Sequence, residues 1–392
     1  MNRFIHTPLE QLLTECLVHR DFANLAEIQR LYSLVNDQEL FDFAEEHEIA
    51  SIVGERLKMF MAPPAHWQTA IDTQAHIQQN RLAELERVAT HLAENGIPLI
   101  ALKNAGIATA IYPYPSECPM GDLDVLVKKS DFPRAHAILE SDGYVLDFRV
   151  AETIEKKGLE AGLLSGGTEY QKDLGNNETL WFELQWRPVA GRWIAPDVEP
   201  GADELFQTAV AIPGSNIKLL DPINNLLQVS LHTAKHSYTR APGLRLHTDV
   251  DRIVRHYDTP EHPFDWETFT NKVQSLHLKT AVYFSLAFAK QILHTPIPQR
   301  VLDLLQPPIL QREAILQLLA KGGLFHPNAP KFSRVEYLTF TALLFDGPRE
   351  CLRTAFPSRD YMKKHHNLRT DLLLPAVYSK RFIDLLTKRV RT

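Results

Sequence analysis

The stretch that constrains this chain most is Met120-Gly121-Asp122-Leu123-Asp124-Val125-Leu126-Val127. Apolar residues alternate here with two carboxylates at i, i+2, a period-2 pattern that reads as a strand. Successive side chains of a strand point to opposite faces, so Asp122 and Asp124 share one face and Leu123 and Val125 the other, packed one. Asp is depleted in strands, and two on one face are either solvated surface groups or half of a site. As a site, two hard anionic oxygens side by side suit Mg²⁺ or Mn²⁺, with substrate phosphates completing the shell. Gly121 removes a side chain just ahead of the pair, where a ligand can approach the backbone.

The strand lies between two helical regions. Residues 8–95 read as helices, with Asp37 as the N-cap of a helix over 38–47 and a long helix over 66–95 that ends at Gly96. His47, His66, His76 and His91 on these helices read as surface or packing residues. From Ile97 the pattern changes. A short strand over 97–102 leads into a turn, Lys103-Asn104-Ala105-Gly106, and a short helix over 105–112. Ser130-Asp131 opens a helix over 131–142, and 144–150 reads as a strand. The polar stretch 151–178 reads as loops with room for a hairpin. Thr179–Trp186 is another strand, with Trp181, Glu183 and Gln185 on one face.

From about 202 the chain reads as helical again. Asp221-Pro222 opens a helix that carries His232 and His236, and a helix over 246–257 has Asp249 and Asp251 in its first turn, where the helix dipole favours acids. Further helices are expected over 267–294, 299–319, 333–356 and 370–390. The expected fold class is α+β, a small mixed-sheet core over 97–200 between an N-terminal helical region (1–96) and a C-terminal helical domain (201–392).

Composition narrows the partners. A net charge of −6 supplies no general attraction to phosphate backbones, so a long nucleic acid is not expected as substrate. No apolar run approaches membrane-spanning length and the N-terminus has no secretory pattern, so no membrane is expected. Three scattered cysteines form no CxxC pair, which fits a reducing, cytoplasmic setting.

An acid inside an aromatic strand requires a metal or a basic partner. With Asp122 and Asp124, Glu183 makes three carboxylates on neighbouring strands. Such a set can hold two divalent ions roughly 3.5–4 Å apart, which clamp the attacking and leaving oxygens of an in-line phosphoryl displacement. The third carboxylate can also take the nucleophile's proton. Lys103 can neutralise phosphates as a point charge. His232 and His236, at i, i+4, face one side of their helix and would meet a nucleotide or acceptor in the cleft beside the core. Alternatively, with Asp249 or Asp251 they would form the metal site of a hydrolase, although Thr, Ala and Lys stand between them where a zinc protease has Glu-x-x. No GxSxG elbow, dinucleotide-binding glycine pattern or P-loop is present.

The run LKNAGIATAIYPYPSECPMGDLDVLV, followed by FELQW, resembles the uncharacterised nucleotidyltransferase family of the polymerase-beta-like nucleotidyltransferase superfamily. The segment LLQVSLHTAKHSYTRAPGLRLHTDVDRIVR is similar to that family's helical region with paired histidines. The resemblance implies transfer of a nucleoside monophosphate from an NTP such as ATP to an acceptor (a small molecule, peptide or protein), with Mg²⁺ and release of pyrophosphate. It assigns Asp122, Asp124 and Glu183 to metal binding and catalysis and Lys103 to the nucleotide, to which Asn104, Gly121, His232 and His236 are also expected to contribute. Three positions depart from the family pattern. Asn104 replaces the turn glycine, no arginine occurs in Ser116–Pro119, and Gln185 replaces a histidine. These leave the carboxylates in place and bear on nucleotide affinity, so the alternative is a non-catalytic member of the fold acting as a binding or scaffold module.

Overall fold

The structure is a computed structural model that describes residues 4–146, 162–163, 166–175, 178–188, 194, 199–237, 243–325, 332–366, 368 and 370–387. Its class is α+β with helical flanks, as the residue patterns indicate. Five helices come first: α1 (Pro8–Leu17), α2 (Leu25–Tyr32), α3 (Asp37–Glu46), α4 (Ala50–Leu57) and α5 (Ala65–Glu94). Helix α1 starts on a capping box. The Thr7 hydroxyl accepts from Glu10 N–H, and the Glu10 carboxylate accepts from Thr7 N–H. Helix α3 is capped by Asn36 rather than Asp37, because Asp37 is taken by the hydroxyl of Tyr32 (2.6 Å) and the indole N–H of Trp67 (2.9 Å).

The sheet holds β1 (Leu99–Leu102), β2 (Asp122–Leu126), β3 (Val145–Leu146), β4 (Gly167–Gly175), β5 (Glu178–Gln185), β6 (Val210–Ala211) and β7 (Ile217–Leu219) in the order β3-β4-β5-β2-β1-β7-β6. It is mixed: β1 is antiparallel to β2 and parallel to β7, and β2 is parallel to β5. Between the strands lie α6 (Lys103–Ala110), α7 (Phe132–Ser141) and α8 (Ala202–Thr208). The expected turn at 103–106 is the first turn of α6. The expected strand over 144–150 is seen as β3, and 147–150 lie outside the described residues. The stretch 151–178, of which 151–161, 164–165 and 176–177 lie outside the described residues, contributes one strand, β4, and its hairpin partner is the strand expected at 179–186, seen as β5. Residues 210–211 and 217–219 are strands, not helix. Two and three residues are too few to show a period, and β7 is held by long-range pairing with β1.

Ten helices follow among the described residues: α9 (Pro222–His236), α10 (Arg245–Tyr257), α11 (Trp266–Ser275), α12 (Lys279–Leu293), α13 (Gln299–Leu305), α14 (Ile309–Gly322), α15 (Arg334–Leu343), α16 (Pro348–Ala355), α17 (Arg359–His365) and α18 (Leu374–Thr387). Asp221 caps α9 through Asn224 N–H (3.0 Å). Ser285 on α12 donates to Ser230 O (2.7 Å) and Thr233 donates to Leu246 O (3.1 Å), which ties α9 to its neighbours.

The main apolar core is continuous from Phe4 to Phe345 and takes in Leu99, Ala101, Leu123, Val125, Phe182 and Leu184 from one sheet face. The opposite face is treated differently along its length. Ile100, Leu102 and Leu126 are covered by Ala202, Leu205 and Leu220. Beyond that cover the same face carries Asp122, Asp124, Trp181, Glu183 and Gln185. Gly106 lets α6 lie close on β1, since a Cβ there would stand 2.7 Å from the Ala101 carbonyl oxygen.

Candidate functional site

The parallel register of β2 and β5 sets Asp124 opposite Glu183 and Asp122 opposite Trp181. Registered neighbours project to the same side, so the three carboxylates meet on the uncovered part of one face. They run from solvent inward: Asp122 is exposed, the Glu183 side chain is 31% exposed and Asp124 is 2% exposed.

Lys103, the first residue of α6, reaches into this group. Its Nζ lies 2.5 Å from Asp124 Oδ1 and 3.5 Å from Glu183 Oε2. Its φ of +47° is a left-handed conformation that costs a non-glycine residue on the order of 1 kcal/mol and persists only where surroundings enforce it. The surroundings here are specific. Lys103 N–H donates to Gln228 Oε1 (3.2 Å), and Gln228 Nε2 donates to Pro188 O (2.8 Å), which pins the turn to α9. Gln185 Nε2 donates to the same Asp124 Oδ1 (2.9 Å).

The electrostatics follow from this packing. Burial works against the Lys103 ammonium, but the charges of Asp124, Glu183 and Asp122 outweigh it and raise its pKa. Burial pushes the Asp124 carboxyl well up against the pull of Lys103, with Asp122 and Glu183 adding to the rise. Burial also pushes Glu183 up, yet Lys103, a hydrogen bond with Asp124 and the charge of Lys235 hold it below its usual value.

Asn104 is buried beneath this layer. Its amide nitrogen donates to Asp249 Oδ2 (3.0 Å) and its oxygen accepts from Arg245 Nη1 (3.0 Å). The Tyr112 hydroxyl donates to Asp249 Oδ1 (2.9 Å). The asparagine in the glycine's place thus bolts α6 to α10, and its side chain is committed to that network. Burial pushes the Asp249 carboxyl up to about 6, opposed by Arg245, the Tyr112 hydrogen bond and Arg252. Because α10 begins at Arg245, Asp249 and Asp251 lie beyond its first turn, and the helix dipole is not what they answer to. Asp251 binds Arg252 (2.5 Å), Arg255 (2.9 Å) and Thr295 (2.7 Å).

The His232 and His236 rings stand edge to face with centroids 4.8 Å apart. Burial pushes His232 well below its usual pKa, and the charges of Lys103, His236, Lys235 and Arg245 push the same way, so it is neutral at physiological pH. Both aspartates are bonded elsewhere and neither joins the histidine pair. Among the described residues no group of three or more His, Cys, Asp or Glu side chains is arranged to hold a metal ion. In the carboxylate group the space between Asp124 and Glu183 is taken by the lysine. A Cβ on exposed Gly121 would meet nothing within 4 Å, so the space beside Asp122 is open without glycine being required.

Several site residues escape a reading of the sequence. Gln228 hides in the apolar run Leu226–Leu231, where a lone amide is the signal. Arg81 on α5 donates to Met120 O, pairs with Glu178 at 3.6 Å and acts electrostatically on Asp122. Arg245 donates to Pro119 O. Two arginines from distant helices therefore hold the segment ahead of β2 that itself lacks one. Glu169 on β4 is registered opposite Glu183 and adds a fourth carboxylate to that face. The alternation Thr168-Glu169-Tyr170-Gln171, with Tyr170 buried, carries that signal.

The site is thus a strand, a helix-opening lysine turn and an Asp-x-Asp strand joined in register by a third carboxylate. The chain belongs to the family described as uncharacterised nucleotidyltransferase, whose pattern matches residues 33–294. That span takes in the whole sheet and the helices from α3 through α12. No curated protein and no solved structure matches the chain.

Proposed function

We propose that this protein transfers a nucleoside monophosphate from an NTP to an acceptor on a small molecule, peptide or protein, and releases pyrophosphate. The observation that carries this reading is the register Asp124↔Glu183, which gathers Asp122, Asp124 and Glu183 on one uncovered face around a resident cation, Lys103 Nζ. The donor set fits Mg²⁺ or Mn²⁺ in type: three hard carboxylates, in a place that already accommodates a positive charge. Asp122, Asp124 and Glu183 would hold the ion, which when bound neutralises the triphosphate and polarises the reacting phosphorus centre.

The chain's own groups supply the rest. The Lys103 N–H at the start of α6 is already held by Gln228, so contacts to phosphate fall to side chains. Lys103 offsets phosphate charge. Neutral His232, with His236 beside it, lends a hydrogen bond rather than a charge. Glu183, ionised at neutral pH, is placed to accept the proton of an incoming hydroxyl. ATP is the first donor to test. The net charge of −6 favours a compact acceptor over a long nucleic acid. Among the described residues no helix is long and apolar enough to cross a membrane.

A second reading, a binding module without catalysis, is favoured by Lys103 filling the space between the carboxylates and by Asn104 committed to Asp249 and Arg245. Thermal melts with ATP, CTP, GTP or UTP and Mg²⁺ or Mn²⁺ separate the two. The transferase reading requires a metal-dependent rise in melting temperature for an NTP that is lost in Asp122→Ala/Asp124→Ala, since a ligand of the native state alone must stabilise it. No rise with any NTP at millimolar concentration sinks the transferase reading and leaves the binding module.

A further inference from the structure

We propose that Lys103 is a built-in counter-ion of the acidic face, so that a divalent cation and a polyphosphate bind here only as a pair, the cation replacing the lysine and the polyphosphate receiving it. The inference rests on the nucleotide-site reading above and adds to it an obligatory coupling between the two ligands. Its ground is geometry. Lys103 Nζ is 2.5 Å from Asp124 Oδ1 and 3.5 Å from Glu183 Oε2, between the two innermost carboxylates. The ammonium and the Gln185 amide already occupy Asp124 Oδ1. A divalent ion approaching Asp124 and Glu183 meets a like charge at contact distance in a poorly screened site, and the two cannot coexist there.

The lysine backbone cannot retreat. Its N–H is held by Gln228, its φ is left-handed, and the next residue is tied to Asp249 and Arg245. What can move is the four-carbon side chain, which is 14% exposed. A displaced ammonium needs a new anion, because breaking a buried ion pair without replacement is strongly unfavourable. A polyphosphate arriving with the cation at the open end of the group, beside exposed Asp122 and Gly121, can supply that anion. A cation alone must break the pair uncompensated. A polyphosphate alone meets the negative field of Asp122, Asp124 and Glu183. Together they exchange partners with Lys103, and the coupling is reciprocal by linkage.

The test uses the full chain, with Mn²⁺, inorganic tripolyphosphate and their one-to-one complex as probes and thermal stabilisation and calorimetric binding as readouts. Wild type is expected to respond to the complex and barely to either component alone. Lys103→Met is expected to bind Mn²⁺ alone at least about tenfold more tightly than wild type, since the competing buried pair is gone. Introducing Asp124→Asn into that variant removes the gain. If Mn²⁺ binds Lys103→Met no better than wild type, the inference is overturned while NTP-dependent stabilisation can still support the transferase. Should Lys103→Met not fold, wild type decides: stabilisation by the complex that equals the sum of its components' effects overturns the coupling, and a clear excess supports it. Absence of binding by every probe overturns the inference and the nucleotide-site reading together.

Discussion

Gly106→Ala tests how α6, and with it Lys103, is seated. An added Cβ would stand 2.7 Å from Ala101 O and 3.3 Å from Ala101 C, both backbone atoms, and 3.4 Å from Leu219 Cδ2. The oxygen lies about 0.7 Å inside ordinary contact, and close-packed interiors have little slack to absorb that. Ala101 belongs to β1, paired with β2 on one side and β7 on the other, so it cannot move aside. Helix α6 must lift instead. Two terms then oppose each other. Alanine favours the helix over glycine by about 1 kcal/mol. Overpacking against backbone costs about 3 kcal/mol. The net expectation is a loss of about 2 kcal/mol, read as a lower urea midpoint at unchanged slope. Lifting α6 also draws Lys103 Nζ away from Asp124 and loosens the pair that competes with a cation, so Mn²⁺ alone should bind more tightly than it does to wild type. Gly121→Ala is the control. Its Cβ meets nothing within 4 Å, and its effect should stay within about 0.5 kcal/mol. A Gly106→Ala protein as stable as wild type, or more so, would mean that helix propensity alone governs the position and that α6 does not lie on β1 as described.

Three further outcomes follow from the same contacts. Asp249 has a folded pKa of about 6 against an ordinary 3.8, so between those values the folded chain holds more protons than the unfolded one. Stability therefore falls by about 3 kcal/mol as pH rises from about 4 to about 6 and is flat above. Asp249→Asn should remove that slope from a melting-temperature profile, and a profile parallel to wild type counts against the buried carboxylate. Gln228→Leu leaves Lys103 N–H and Pro188 O without their partners and should cost about 1–3 kcal/mol by urea denaturation; an unchanged midpoint would refute the clamp. Burial pushes the Glu84 carboxyl up, but hydrogen bonds from Arg87, Lys172 and Tyr144 prevail and hold it at about 2, joining α5 to the hairpin. This stability is present above the usual carboxylate pKa and is lost as pH falls toward about 2. Glu84→Gln should accordingly cost about 2 kcal/mol at neutral pH, a deficit that shrinks on acidification. A deficit independent of pH would place the cost in packing rather than charge.

The local parts of this protein could be read from the order of its residues. The alternation in Gly121–Val127 marks β2 and puts Asp122 and Asp124 on one face, and the same period puts Glu183 inside β5. Helix α5 falls within one residue of the expected span, because its breakers Pro64 and Gly96 act on their immediate neighbours. Even the commonality of Lys103 with a family turn is a local feature. What escapes is whatever depends on the choice of distant partner. Strands β6 and β7 are too short to carry a period; β7 is held by the edge of β1 and β6 by the edge of β7. The spacing of residues 122, 124 and 183 says nothing of register; the fold aligns Asp124 with Glu183 and so turns three scattered acids into a cluster. Nor does composition foretell that Lys103 neutralises them, that Gln228 holds the lysine's strained backbone, or that Asn104 and Asp249 bolt α6 to α10. Dihedral preference and alternation act over a few residues. Buried charges and amides are instead satisfied by whichever group the packed chain brings within about 3 Å, and that is settled only when remote segments meet.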